Sequence, residues 1–294
     1  MTRLTAKDFP PEIIELYDFY AHGRITKREF LDRAGRYAVG GLTAAAILSM
    51  MSPDYALAQQ VSFTDPGIVP EYVTYPSPEG HGEVRGYLVR PAGDGPFPAV
   101  VVVHENRGLN PYIEDVARRL AVSGFVALAP DGLTSVGGYP GNDDRGRELQ
   151  QQVDGTKLMN DFFAAVEWMG THPASTGRVG ITGFCYGGGV AHSAAVAFPD
   201  LSAAVPFYGR QPAPEQAARV RAPLLIHFAE NDPNVNAGWP AYEAALTAAG
   251  ARFEAHVYPG TNHGFHNDST PRYDEAAANL AWDRTIGHFK LHLT

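Results

Sequence analysis

A chain of 294 residues with 45% hydrophobic and 19% charged residues has ample apolar material for a packed core, which excludes general disorder. The net charge of −9 argues against a nucleic-acid partner, because binding a phosphate backbone needs a basic patch that releases counterions. A single cysteine excludes an intramolecular disulfide and, taken alone, points to a reducing compartment. No repeat is evident, and the expected organisation is an N-terminal extension over residues 1–58 followed by one domain over 59–294.

Within the extension, Ile13, Leu16, Tyr17 and Tyr20 recur at helical spacing and predict one or two amphipathic helices in the stretch 9–30. Lys27 and Arg28 are followed by Glu-Phe-Leu, an apolar small-residue run over 37–51, and Ala56-Leu57-Ala58. A basic region, an apolar stretch and an A-x-A site are the parts of an export signal. The basic pair resembles a twin-arginine signal with lysine in the first arginine position, and that route carries proteins already folded, which suits a lone thiol. The expectation is therefore a periplasmic or exported protein. A retained helical arm on a cytoplasmic protein is the alternative, and the run is short for a membrane anchor. Acidic and basic residues balance over 1–58, so the negative excess falls on the remainder.

After a linker over 64–70 rich in Pro and Gly, strands are expected at 71–75 and 84–90 as an antiparallel pair. The uninterrupted apolar run 99–103 reads as a central strand buried on both faces. A helix at 113–122 and a strand at 125–129 follow. A Gly-rich loop over 132–141 suggests a lid or rim, and a long helical stretch runs over 145–170. Next come a strand ending at Phe184, a helix to about residue 197, strands at 203–208 and 224–228, a helix at 239–249, a strand at 253–258 and a closing helix at 274–292. Strands alternating with helices imply an α/β fold, a mostly parallel central sheet with helices on both faces.

The only cysteine stands at the apex of Gly183-Phe184-Cys185-Tyr186-Gly187, between a strand and a helix. That is the spacing of a nucleophile elbow, in which glycines permit the close approach of strand and helix around a sharply bent residue. Loops at the carboxyl ends of parallel strands carry function, and three of them supply partners: His104-Glu105-Asn106-Arg107, Glu230-Asn231-Asp232 and Asn262-His263-Gly264-Phe265. Nucleophile, acid, histidine is the chain order of an α/β-hydrolase triad, which Cys185, Asp232 and His263 satisfy. His263 would stabilise the thiolate, Asp232 would orient the imidazole, and the Tyr186 backbone N–H with one from the loop after Val103 would form an oxyanion hole. Glu230 rivals Asp232 two positions away. Glu105 could cap its loop or pair with Arg107. His263, His266 and Asp268 have no matching Cys or His pair to make a metal site, and the glycines miss dinucleotide spacing, so neither metal nor cofactor is expected.

At these residues, G-F-C-Y-G-G at 183–188, His104-Glu105, Asp232 and N-H-G-F at 262–265, the sequence resembles the dienelactone hydrolase family of α/β hydrolases, over roughly residues 72–293. The resemblance implies an α/β-hydrolase fold and a cofactor-independent hydrolase that attacks a small lactone or ester through Cys185 and a thioester. It also implies that Glu105 interacts with the resting thiol. Family members acting on dienelactone carry an arginine four residues after the histidine, where this chain has Asn267; Arg272, Arg145 and Arg147 are the candidates to bind a substrate carboxylate instead. Tyr139, Trp239 and Phe265 are candidate pocket aromatics. The competing class is a non-hydrolytic α/β-hydrolase-fold protein that binds a ligand or senses oxidants through its thiol.

Overall fold

A computed structural model describes residues 3–38 and 42–294. Eight strands form one sheet: β1 (Ile68–Ser77), β2 (Gly82–Pro91), β3 (Phe97–Val103), β4 (Val126–Pro130), β5 (Ser175–Phe184), β6 (Ala203–Phe207), β7 (Leu224–Asn231) and β8 (Phe253–Asn262), in the order β1-β2-β4-β3-β5-β6-β7-β8. Strand β2 is antiparallel to both β1 and β4, and every other pairing is parallel. The expected α/β-hydrolase fold is present.

The centre of the sheet follows from composition. Val100 to Val103 are fully buried, and alternate residues feed two separate apolar clusters: Val101 and Val103 in one, Val100 and Val102 in the other. A strand covered on both faces cannot alternate apolar with polar, hence the unbroken valine run. Helices α4 (Pro111–Val122), α6 (Gly155–Thr171), α7 (Tyr186–Ala197), α9 (Trp239–Ala248) and α10 (Glu275–Leu293) surround the sheet. The single long helix expected over 145–170 is instead two, α5 (Asp143–Gln150) and α6. Asp154 makes the break by capping α6, its carboxylate accepting from the N–H groups of Thr156 and Lys157 at 2.9 Å each.

The first helices form a small body of their own. α1 (Pro11–Ala21), α2 (Lys27–Ala34) and α3 (Ala44–Met51) bury Ile13, Tyr17, Tyr20, Phe30, Ile47 and Met51 together. The helical spacing read from Ile13, Leu16, Tyr17 and Tyr20 is that of α1's buried face. The arm docks on the domain through polar bonds: Asn106 Nδ2 donates to the Ala21 carbonyl at 2.9 Å, Asp54 N–H to the Ser269 carbonyl at 2.7 Å, and Tyr55 Oη–H to Asp143 at 2.7 Å. Among the described residues, no helix is long and apolar enough to cross a membrane.

Two glycines let β5 turn into α7. A Cβ on Gly183 would lie 2.2 Å from the Gly187 carbonyl oxygen, and one on Gly187 would lie 2.3 Å from that of Val103. Both obstacles are backbone, so neither can swing aside. Gly183→Ala is expected to destabilise the fold by about 1–3 kcal/mol through overpacking, read as a lower denaturant midpoint with an unchanged m-value.

Candidate active site

Register brings the chemistry to one edge. Val103 pairs with Gly183 and Phe184 with Phe207, so the loops after β3, β5 and β6 leave the sheet side by side. Beyond a register shift after Ala229, Asn231 pairs with Asn262. The next residue on each strand is then Asp232 or His263, and His263 Nδ1–H donates to Asp232 Oδ2 at 2.6 Å. Asp232 also caps α8 (Pro233–Asn236), accepting from Val235 N–H at 3.3 Å. The rival Glu230 is exposed and accepts instead from Gly260 N–H.

Cys185 has φ 57° and ψ −111°, a left-handed conformation that non-glycine residues rarely adopt. Its N–H is spent on the Phe207 carbonyl at 3.1 Å, and its side chain stands at the N-terminus of α7, where the helix dipole favours negative charge. Tyr186 is the first residue of that helix, so its N–H has no intrahelical acceptor.

The sulfur meets a second imidazole that sequence reasoning did not include. His22, immediately after α1, places Nε2 3.3 Å from Cys185 Sγ and 3.2 Å from His263 Nε2. Its Nδ1 faces Asp18, 2.8 Å from the carbonyl oxygen and 3.2 Å from Oδ1. Sγ and the two Nε2 atoms all lie within 4.8 Å of one another and are, by donor type, the set in this cluster that could hold a metal ion. His266, which the sequence set beside His263, is turned away: it stacks on Phe184 and pairs through Nδ1 with the Tyr112 hydroxyl at 2.7 Å. The missed signal was an i, i+4 Asp18–His22 pair at the end of α1, in a stretch read only as amphipathic helix.

The charges reinforce one another. Burial alone would raise the Cys185 thiol, but His263 and His22 outweigh it and bring the pKa down to about 6. Burial resists a charge on His22, as does the neighbouring His263, yet the Cys185 thiolate and Asp18 raise it to about 9. His263 is likewise pushed up, the Cys185 thiolate and Asp232 overcoming its burial.

A cavity of about 460 Å³ opens over the sulfur, lined by His22, Tyr186, Tyr208, Asp232 and His263 among others, and among the described residues Arg24 and Arg210 are its only cationic side chains apart from histidine. A second cavity, of about 760 Å³, shares Asp18, Asp232, Asn234 and His263 with the first but does not touch Cys185. The Gly-rich loop 132–141 lines neither; α1 and the residues after it cover the site in its place.

Several expected residues stand elsewhere. Glu105 is buried and accepts from Asn267 Nδ2 at 3.0 Å, so the resting partner of the thiol is His22 rather than Glu105. Arg107 bonds Asp143, so it is not the partner of Glu105 either. Arg145 pairs with Glu148 on the surface, and Arg147 pairs with Asp144 and covers the Tyr20 ring. Arg272 lies 3.6 Å from Asp18 and borders only the second cavity. Tyr139 donates to Asp143, Trp239 packs on Phe228, and Phe265 is fully buried against Tyr208 and Tyr258; none lines the cavity over the sulfur.

With this geometry in place, the comparisons are decisive for the family. Residues 84–293 match the family model of the dienelactone hydrolase family. The chain belongs to the dienelactone hydrolase family. It is an enzyme of the lactone and ester hydrolase type. A putative carboxymethylenebutenolidase of Methylorubrum extorquens is 34% identical over 228 residues, covering 72% of this chain and 78% of that one. A putative hydrolase fragment, YghX, of Escherichia coli is 75% identical over 116 residues, which is 39% of this chain and 99% of the fragment. The crystal structure of a putative dienelactone hydrolase from Klebsiella pneumoniae superposes with a TM-score of 0.67 at 29% identity, covering 76% of this chain and 98% of that one. The arm lies outside that match, and residues 1–39 correspond to a separate YqhI-like family model.

Between the two shifted values the site holds a thiolate against an imidazolium, and below about 6 the sulfur regains its proton. Alkylation of Cys185 by iodoacetamide is therefore expected to rise through a midpoint near 6 and level off by neutral pH, whereas a free thiol would rise through about 8.5. Asp232→Asn weakens the imidazolium form of His263 and should move the midpoint upward.

Proposed function

We propose that the chain hydrolyses a small lactone or ester by attack of the Cys185 thiolate on the carbonyl carbon, through a thioester that water then cleaves. The observation that carries this reading is the convergence of a left-handed cysteine at a helix N-terminus with an imidazole whose far nitrogen is bonded to Asp232. As the carbon–sulfur bond forms, the carbonyl electrons move onto oxygen, which the Tyr186 N–H and one from the loop after Val103 would stabilise. Collapse breaks the carbon–oxygen bond, and the leaving oxygen takes a proton from an imidazolium. Water then attacks the thioester, gives a proton to the imidazole, and the thiolate leaves. The sum is one water consumed, with a carboxylate, an alcohol and a proton released.

The lowered pKa of Cys185 also suits a thiol redox sensor, the competing class. Intact-mass analysis after brief exposure to an activated ester separates the two: a hydrolase shows a transient acyl adduct on Cys185. Cys185→Ala is expected to lower kcat/KM on the order of 10⁴-fold or more; a variant that keeps wild-type turnover would sink the proposal.

Substrate choice follows from the cavity. Arg24 and Arg210 are exposed at its wall, and neither forms an ion pair among the described residues. Among the relatives, a probable 2-oxo-3-(5-oxofuran-2-ylidene)propanoate lactonase of Bradyrhizobium, 34% identical, is named for a substrate that carries a carboxylate. We read the two arginines as the carboxylate anchors of this chain. Arg24→Ala and Arg210→Ala should each raise KM about tenfold for a carboxylate-bearing lactone, with little change for a neutral ester. Export remains a separate proposal, resting on the Lys27-Arg28 segment and the apolar run, and the N-terminal residue of the protein recovered from its host tests it.

A further inference from the structure

We propose that the N-terminal arm completes the active site: His22, oriented by Asp18, is a second acid–base residue of the reaction, acting at the Cys185 sulfur alongside His263. The inference rests on the reading of Cys185 as the nucleophile.

Orientation comes first. Each imidazole uses Nδ1 on the carboxylate side, His263 on Asp232 at 2.6 Å and His22 on the carbonyl and carboxylate of Asp18, which leaves both Nε2 atoms facing the sulfur. Two bare lone pairs 3.2 Å apart would repel beside a thiolate, so at least one proton sits among the three atoms. His22, held by Asp18, is thus a second proton carrier beside the nucleophile, separate from the Asp232–His263 pair.

The reaction uses that proton in a definite order. Attack of sulfur on the carbonyl removes the thiolate charge that favours the protonated form of either imidazole, so a proton is released more readily as the carbon–oxygen bond breaks and the leaving oxygen needs one. Hydrolysis of the thioester needs the reverse, a neutral imidazole to take a proton from attacking water as the carbon–sulfur bond breaks. The His263 side chain is 8% exposed, whereas the His22 side chain keeps 24% of its surface open, so His22 is the imidazole more open to an incoming water. Accordingly His263 sustains the thiolate and His22 serves the deacylating water.

The arm is built to hold this position. Asn106, in the loop after β3, bonds the Ala21 carbonyl directly before His22, and Arg272 neutralises Asp18 from 3.6 Å while its guanidinium covers the Tyr17 ring. The aromatic core of Tyr17, Tyr20 and Phe30 ties α1 to α2. Ala58, the last residue of the A-x-A sequence, is 1% exposed within a core cluster of the domain, which supports an arm that stays attached in the folded protein.

The test uses the full chain carrying His22→Gln or His22→Ala. Both are expected to lower kcat about 100-fold, with KM within about threefold, and to lengthen the life of the acyl adduct on Cys185 seen by mass spectrometry. The alkylation midpoint should rise, and added imidazole should restore turnover to His22→Ala. An unchanged thermal midpoint shows that the arm remains folded, and Asp18→Asn should fall between wild type and His22→Gln. Wild-type kcat and adduct lifetime in both variants would overturn the inference. So would faster hydrolysis, which would make His22 an obstruction, or one zinc per chain in the purified protein that is lost with His22→Ala. Absence of any acyl adduct in the wild type defeats the nucleophile reading itself, whereas a normal adduct lifetime in the variants defeats only the role of His22.

Discussion

The close approach of three backbone segments at Cys185 governs the rest of the site. The β5–α7 turn exists only because Gly183 and Gly187 let carbonyls come within a distance that any side chain would block. That crowding holds the cysteine in a left-handed conformation, a local cost that the surrounding packing sustains. From there the sulfur, the first N–H of α7 and the loop after β3 have fixed relative positions. The partners are set independently by the β7–β8 register, where pairing of Asn231 with Asn262 delivers Asp232 and His263 as neighbours. Two backbone devices, the β5–α7 turn and the β7–β8 register in the same half of the sheet, therefore meet at the Cys185 sulfur.

Around this frame, Asn267, four residues after His263, engages the buried carboxylate of Glu105, while the side chain bonded to the thiol is His22. An amide satisfies a carboxylate by hydrogen bonding without adding charge, so the electrostatic control of the sulfur passes to groups elsewhere. Those groups are imidazoles, and one of them comes from the arm. Arg272 is engaged by Asp18 and is therefore part of the arm's anchorage.

The domain was legible because its signals are local. An unbroken valine run, a glycine-framed cysteine and carboxyl-end loops in a fixed chain order place β3, the β5–α7 turn and the cluster of Cys185, Asp232 and His263 without any long-range information. The break between α5 and α6 was visible as Asp154 before Gly155, yet helical periodicity on both sides masked it. Pocket residues were read poorly for a physical reason. Whether Tyr139, Trp239 or Phe265 faces a cavity or the core depends on which neighbours fill the space, and nearness in sequence to a catalytic residue does not decide that. The arm was the largest gap: its amphipathic spacing was plain, but an apolar run preceded by basic residues fits both an export signal and the core of a docked helical body. Only the contact across |i−j| = 163 between His22 and Cys185 reveals the polar face of α1 as part of the site.

The arm also divides the surface over the Asp232–His263 pair into two chambers. His263 and Asp232 form part of the wall of both, while the sulfur opens into the smaller one alone. For chemical probing this makes the sulfur and the Asp232–His263 pair separately addressable. An electrophile shaped to the smaller chamber reports on the thiolate. A non-covalent ligand lodged in the larger one would border the imidazole and its carboxylate, and so act on a cysteine it never touches.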